Sequence, residues 1–196
     1  HTAYRRQRQM CIRDSSPEEQ TLFLKVVGQI NWIVQSSRPD MAFEMIDLST
    51  KLRQASICEL LHALKVVTRL KYMESIVTFP QLETDFKDWK ITVFTDASLG
   101  NINNGFGSTG AQILWMTDGK SNCCPIAWQA NKIKRVVRST IAAECLSLQE
   151  GLESAVFYRK ILEEITEIQF PVIAYVDNKS VIESLKSTKL VDDKRL

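Results

Sequence analysis

Three acidic residues stand where a phosphate-cutting enzyme would need them. Asp96 ends the apolar run Ile91-Thr92-Val93-Phe94-Thr95, and Asp177 ends Val172-Ile173-Ala174-Tyr175-Val176. Glu144 lies in Ser139-Thr140-Ile141-Ala142-Ala143-Glu144, which reads as the first turns of a helix. If the two runs are neighbouring strands and the helix packs on them, the three carboxylates meet at one end of a sheet. A carboxylate cluster without His or Cys suits hard, oxygen-seeking cations, Mg²⁺ first and Mn²⁺ as the alternative. Such an ion suits phosphoryl chemistry. Taken singly, each acid is an ordinary strand-end or helix-surface residue; the reading rests on all three in these contexts.

The elements that must position them follow from periodicity. Residues 91–95 alternate and are rich in β-formers, predicting a first strand. Residues 101–107 hold three Asn and two Gly and read as a loop. Residues 110–116 and 124–128 read as second and third strands, joined through the hairpin signal Asp118-Gly119. A long helix follows, capped by Ser139 or Thr140, with Ile141, Cys145, Leu148, Leu152, Ala155 or Val156, and Leu162 expected on its buried stripe. Residues 171–176 form a fourth strand, and Asn178 caps a last helix with Val181, Ile182 and Leu185 inside. The order is β-β-β-α-β-α. The long helix acts as a crossover, so the fourth strand runs parallel to the first and brings Asp177 beside Asp96.

Upstream, residues 17–79 read as helical. Pro17-Glu18-Glu19 is a start signal, followed by the stripe Phe23, Val26, Val27, Ile30 and Val34. Ser36-Ser37-Arg38-Pro39-Asp40 breaks the run. Asp40 is the expected cap of a second helix with the stripe Met41, Met45, Leu48 and Leu52. A third helix carries Ile57, Leu61, Leu64 and Val67 or Leu70. Residues 81–90, rich in charge, read as a linker.

The chain's ends affect the charge argument. Residues Arg5-Arg6-Gln7-Arg8-Gln9-Met10-Cys11-Ile12-Arg13-Asp14-Ser15 resemble a translated sequencing-library adapter, so residues 1–15 are read as non-native and excluded from fold reasoning. The whole chain carries 25 basic and 23 acidic residues, a net charge of +2. Without the four arginines and one aspartate of that segment, 21 basic face 22 acidic residues, so overall basicity is no argument for nucleic acid. At 44% apolar and 24% charged, the chain can bury a core. It has no apolar run of roughly 20 residues to span a membrane. Cys58, Cys123, Cys124 and Cys145 show no metal spacing, and a reduced, intracellular protein is the plain expectation. His62 sits in a helical stretch and reads as surface or core.

With these residues in place, the chain resembles the reverse transcriptase–ribonuclease H region of copia-like retrotransposon polyproteins. The resemblance rests on Val27-Gly28-Gln29-Ile30-Asn31-Trp32 with Ser37-Arg38-Pro39-Asp40-Met41-Ala42-Phe43, on Phe94-Thr95-Asp96-Ala97-Ser98, on Pro125-Ile126-Ala127-Trp128-Gln129 with Arg138-Ser139-Thr140-Ile141-Ala142-Ala143-Glu144, and on Val176-Asp177-Asn178-Lys179-Ser180. It implies a thumb- or connection-like helical segment over 16–80 and a ribonuclease H-like α/β domain over 91–196. That domain's mixed sheet would have three antiparallel strands, then a helix and a parallel strand. The implied activity is hydrolysis of the RNA strand of RNA–DNA hybrids, beside the polymerase part of the same polyprotein, in the cytoplasm or in virus-like particles.

Asp96, Glu144 and Asp177 would then be catalytic metal ligands, with two Mg²⁺ roughly 3.5–4 Å apart bridged by Asp96. The resemblance also implies a fourth acid just past Leu196 and a closing strand and helix, so the chain is expected to be a fragment short of them. No Tyr-x-Asp-Asp motif appears, so polymerisation is not expected. Lys132, Lys134, Arg135 and Arg138 are candidates for holding phosphates, or else a solvated loop. Ser98 and Asn178, close in sequence to the aspartates, are candidates for contacting the hybrid. Two other readings stay open. One is a non-catalytic scaffold or nucleic-acid clamp, which needs no metal. The other is an integrase-like nuclease, disfavoured by the order Asp, Glu, Asp.

Overall fold

The computed structural model describes residues 14–102, 105, 107–120 and 122–187. The chain divides into two compact units, His1–Val77 and Thr78–Leu196.

In the first unit, helix α1 (Pro17–Ser36) starts on a capping box. The Ser16 hydroxyl accepts from the Glu19 N–H and the Glu19 carboxylate accepts from the Ser16 N–H, satisfying two donors that a helix start leaves unpaired. Its stripe Phe23, Val26, Val27, Ile30 and Val34 is buried as the periodicity predicts. The break after α1 differs from expectation. Asp40 lies within a 3₁₀ turn, Pro39–Met41, and does not cap helix α2 (Ala42–Ser49). Its carboxylate accepts from Nε and Nη2 of Arg38, each at 2.8 Å. Arg38, itself buried, also donates to the Leu70 carbonyl. Those guanidinium hydrogen bonds hold the Asp40 carboxyl below its ordinary range.

Around α2, Met41, just before the helix, and Leu48 are buried in the core and Met45 packs partly against it, whereas Leu52, past the helix end, is exposed. Helix α3 (Ile57–Tyr72) has the expected period with its phase turned by one residue. Ile57, Leu60, Ala63 and Val66 face inward and Leu70, one of the two residues expected to end the stripe, packs partly against the core, leaving Leu61, Leu64 and Val67 partly exposed. Leu60, Ala63 and Val66 join the stripe of α1 in one core.

In the second unit, strands β1 (Lys90–Ile102), β2 (Gly107–Thr117), β3 (Cys123–Lys132) and β4 (Val172–Val176) form one sheet in the order β3-β2-β1-β4. The first three run antiparallel, and β4 lies parallel to β1. This is the α/β mixed sheet expected. β1 extends to Ile102, so only part of the expected 101–107 loop is loop, with irregular pairing between Ser98 and Ile102. The Asp118-Gly119 turn forms as predicted, with Gly119 at φ +76°. The Asp118 carboxylate accepts from the N–H groups of Lys120 and Asn122 within the turn, and from Glu83 outside it. Thr84 donates to the Asp118 carbonyl and the Trp89 indole to the Thr84 carbonyl. The segment expected to be a linker is thus tied to the hairpin.

Helix α4 (Thr140–Thr166) crosses from β3 to β4, with the Ser139 hydroxyl accepting from the Ala142 N–H. Leu148 and Ala155 of the expected stripe are buried and Leu162 packs partly against the core, but the rest of its inward face departs from expectation. Ala142, Ala143, Glu144, Ser147, Leu148, Gly151 and Ala155 are buried. Leu152 is exposed, and Ile141 and Cys145 are half-buried. The helix lies too close to the strands for a row of large side chains: a Cβ on Gly151 would meet Thr95 Cγ2 at 2.4 Å. Asn178 caps helix α5 (Lys179–Lys186) as expected, its side-chain oxygen accepting from the Ser180 and Val181 N–H groups. Only Val181 of α5 is buried; Ile182 and Leu185 are exposed, since this two-turn helix meets the sheet unit by one narrow row.

Among the described residues no helix is long and apolar enough to cross a membrane. Cys123, Cys124 and Cys145 are free thiols. Asp192 and Asp193, the acids nearest the expected fourth ligand, lie outside the described residues.

Candidate metal centre

The register of the sheet builds the centre. Thr95 pairs with Val176 across the parallel β1–β4 ladder. Asp96 is the next residue of β1, and Asp177 the first residue after β4. Glu144 comes from the second turn of α4, on the face turned toward the sheet. One carboxylate oxygen from each of the three lies within 4.8 Å of the other two.

Their surroundings differ. Asp96 and Asp177 are exposed, whereas Glu144 is only 6% exposed. Its Oε2 is buried and has no hydrogen-bond partner. Burial first, then the charges of Asp96 and Asp177, push the Glu144 carboxyl above its ordinary range, while the Ala97 N–H pulls it the other way. A buried, unpartnered oxygen among like charges is costly unless a proton or a cation sits there. Three carboxylates and no soft ligand fit a hard divalent cation. The residues present therefore suit the ion expected from the sequence.

The other candidate residues are placed as follows. Lys132 ends β3, opposite Thr109 of β2, and is exposed. Lys134, Arg135 and Arg138 are exposed on the link into α4, which the Ile133 N–H fastens to the Ser108 carbonyl at 2.8 Å. Among the described residues no ion pair joins these four cations to the three acids. Ser98 is exposed on β1, two residues beyond Asp96. Asn178 directly follows Asp177, but its side-chain oxygen is taken up in capping α5.

Sequence reasoning missed Ser147. It is 3% exposed, one turn beyond Glu144, and its hydroxyl donates to the Asp96 carbonyl at 2.9 Å. Its signal is the four-residue spacing of small residues Ala143, Ser147, Gly151 and Ala155.

No family model matches the chain. It is 26% identical over 117 residues to the transposon Ty5-1 protein YCL074W of Saccharomyces cerevisiae, covering 60% of this chain and 35% of that protein. The chain thus spans about a third of that relative's length. Among solved structures it is similar to LC11-RNase H1, crystallised in complex with an RNA/DNA hybrid, at a TM-score of 0.33 and 17% identity. That likeness covers 54% of this chain and 67% of the other.

Proposed function

We propose that the second unit is a metal-dependent ribonuclease H that hydrolyses the RNA strand of RNA–DNA hybrids within a retrotransposon polyprotein. The observation that carries this reading is the convergence of Asp96, Glu144 and Asp177 within 4.8 Å around a buried, unpartnered Glu144 oxygen. The chain order Asp, Glu, Asp and the similarity to a transposon protein support it.

Asp96, Glu144 and Asp177 would hold Mg²⁺, or Mn²⁺ in its place. A divalent cation bound there supplies Lewis acidity to a phosphate and makes a bound water more acidic. Asp96 and Asp177, being exposed, leave the site open to a substrate phosphate. Glu144 is buried behind them and would hold the ion from the inner side. Lys132, Lys134, Arg135 and Arg138 would offset backbone charge of the bound hybrid, so binding weakens as salt rises. Ser98 and the amide nitrogen of Asn178 are donors for the hybrid backbone. Preference for RNA over DNA would come from 2′-hydroxyls and groove shape. The polymerase part of the polyprotein is the expected partner.

The test is incubation of this chain, and of a version extended past residue 196 to supply the fourth acid, with an end-labelled RNA–DNA hybrid, or a DNA duplex of the same sequence, in Mg²⁺. Cleavage of the RNA strand alone, abolished by Asp96→Asn, is the expected result. A folded protein that binds no Mn²⁺ and cuts neither substrate overturns the reading in favour of a scaffold.

A further inference from the structure

A serine inside a helix ordinarily points to water or returns its hydroxyl to a carbonyl three or four residues back. Ser147 does neither. Its Oγ leaves α4 and donates to the Asp96 carbonyl of β1 at 2.9 Å, with the Ala111 carbonyl of β2 at 3.2 Å. Asp96 and Ala111 are directly opposed in the β1–β2 ladder, so the hydroxyl sits over one cross-strand pair. A carbonyl oxygen has two lone pairs, so it can serve the ladder and Ser147 together.

The space for this contact is built from both sides. Gly110, next to Ala111, has no side chain; a Cβ there would meet Ser147 Oγ at 3.0 Å and Ser147 Cβ at 3.2 Å. One turn along the helix, Gly151 makes the same kind of close approach to Thr95 and Val93. Further on, Ser154 accepts from the Gln112 amide at 2.8 Å. α4 is thus pinned to the sheet at successive turns, and the pin nearest Glu144 ends on the backbone of another carboxylate residue.

That placement opposes a definite force. The three carboxylates lie within 4.8 Å of one another, close enough to repel, and Glu144 is buried. Moving the first turns of α4 away from β1 would relieve both. Between the Ser147 hydrogen bond and the Glu144 carboxylate lies one helical turn. Between the same hydrogen bond and the Asp96 carboxylate lies less than one residue. We infer that Ser147 is a positioning residue for the metal centre: its hydroxyl holds the Glu144-bearing turn of α4 to the backbone of Asp96, and so sets the spacing at which the carboxylates take up a divalent cation. This rests on the metal-centre reading proposed above.

The experiment is titration of the metal-free full chain with Mn²⁺, following bound ion by calorimetry and free ion by electron paramagnetic resonance. The variants are Ser147→Ala, Gly110→Ala and Ser154→Ala, each checked for fold by circular dichroism and melting. Loss of a group that orients a metal ligand typically costs roughly 10–100-fold in affinity. Ser147→Ala is expected to weaken Mn²⁺ binding about tenfold or more. Gly110→Ala, which displaces the same hydroxyl from the other side, moves affinity in the same direction and answers the question if Ser147→Ala does not fold. Ser154→Ala removes a comparable helix-to-sheet contact remote from Glu144 and leaves affinity unchanged. A folded Ser147→Ala protein with the original affinity overturns the inference, as does an equal loss in Ser154→Ala. Failure of the unchanged protein to bind Mn²⁺ overturns the metal-centre reading itself, a different pattern from either.

Discussion

The two units bury helices in opposite ways. In the first, α1 turns Phe23, Val27, Ile30 and Val34 inward, and its partners close around these large side chains. In the second, α4 turns inward Ala143, Ser147, Gly151 and Ala155, and much of its bulk, including Leu152 and Phe157, stays at the surface. The first arrangement maximises the apolar area withdrawn from water, the main source of stability in a small helical core. The second sacrifices area for nearness. A helix seated on small residues brings its backbone close to the strands, and with it a glutamate to two aspartates. The contrast separates a contact that holds a unit together from one that sets a distance.

The largest expected effect breaks the first kind of contact. Phe23→Ala removes a fully buried aromatic ring and should cost the helical unit about 3–5 kcal/mol, read from denaturant unfolding. Because Phe23 belongs to a cluster drawn from that unit alone, Mn²⁺ affinity should be unchanged. A matching loss of affinity would show that the two kinds of contact are not separable. Gly151→Ala attacks the second kind. Its added methyl would lie 2.4 Å from Thr95 Cγ2, so α4 or the β1 side chains beneath it must shift. Overpacking of this order costs about 1–3 kcal/mol, and here Mn²⁺ affinity should fall with stability.

These two substitutions also mark what could be read in the sequence. The stripe of α1 and the sheet topology were legible, because large apolar residues at helical spacing, alternating strands, the Asp118-Gly119 turn and a long crossover helix each have few structural solutions. The meeting of Asp96 and Asp177 followed from the parallel pairing. The inward face of α4 was not legible by the same rule. Reading large apolar residues as buried selects Ile141, Cys145 and Leu152, whereas close seating selects glycine, alanine and serine. Asp40 was misassigned because a cap and an ion-pair partner look alike until the buried Arg38 is placed beside it.

A smaller effect is expected where residues 81–90 meet the hairpin. Burial alone would raise the Asp118 carboxyl, but the N–H groups of Lys120, Glu83 and Asn122 outweigh it and hold the group below its ordinary value. Its contribution to stability is therefore present above about pH 3.8 and fades as pH falls through the lower folded value. Asp118→Ala should remove that acid-limb dependence and speed amide exchange at Glu83 and Lys120, as hydrogen-exchange NMR would show.

The smallest effect sharpens the comparison at the metal centre. Glu144 is shifted the other way, upward from 4.5. The metal-free protein should be insensitive to this group below that pH and lose stability as pH rises through the folded value. Glu144→Gln should flatten that slope in thermal melts recorded without metal. With Mn²⁺ present, the unchanged protein should regain stability at higher pH and the Gln variant should not. If the two proteins melt alike with and without Mn²⁺ at every pH, Glu144 carries no charge burden and the centre is not the reason for close seating.

The acceptor of the Ser147 hydroxyl is a main-chain oxygen, which every amino acid at position 96 would supply. The scaffold and the chemistry are therefore separately editable there. A histidine or cysteine put in place of Asp96 would inherit the same anchored strand and helix, giving a ready frame for redesigning the site toward softer ions.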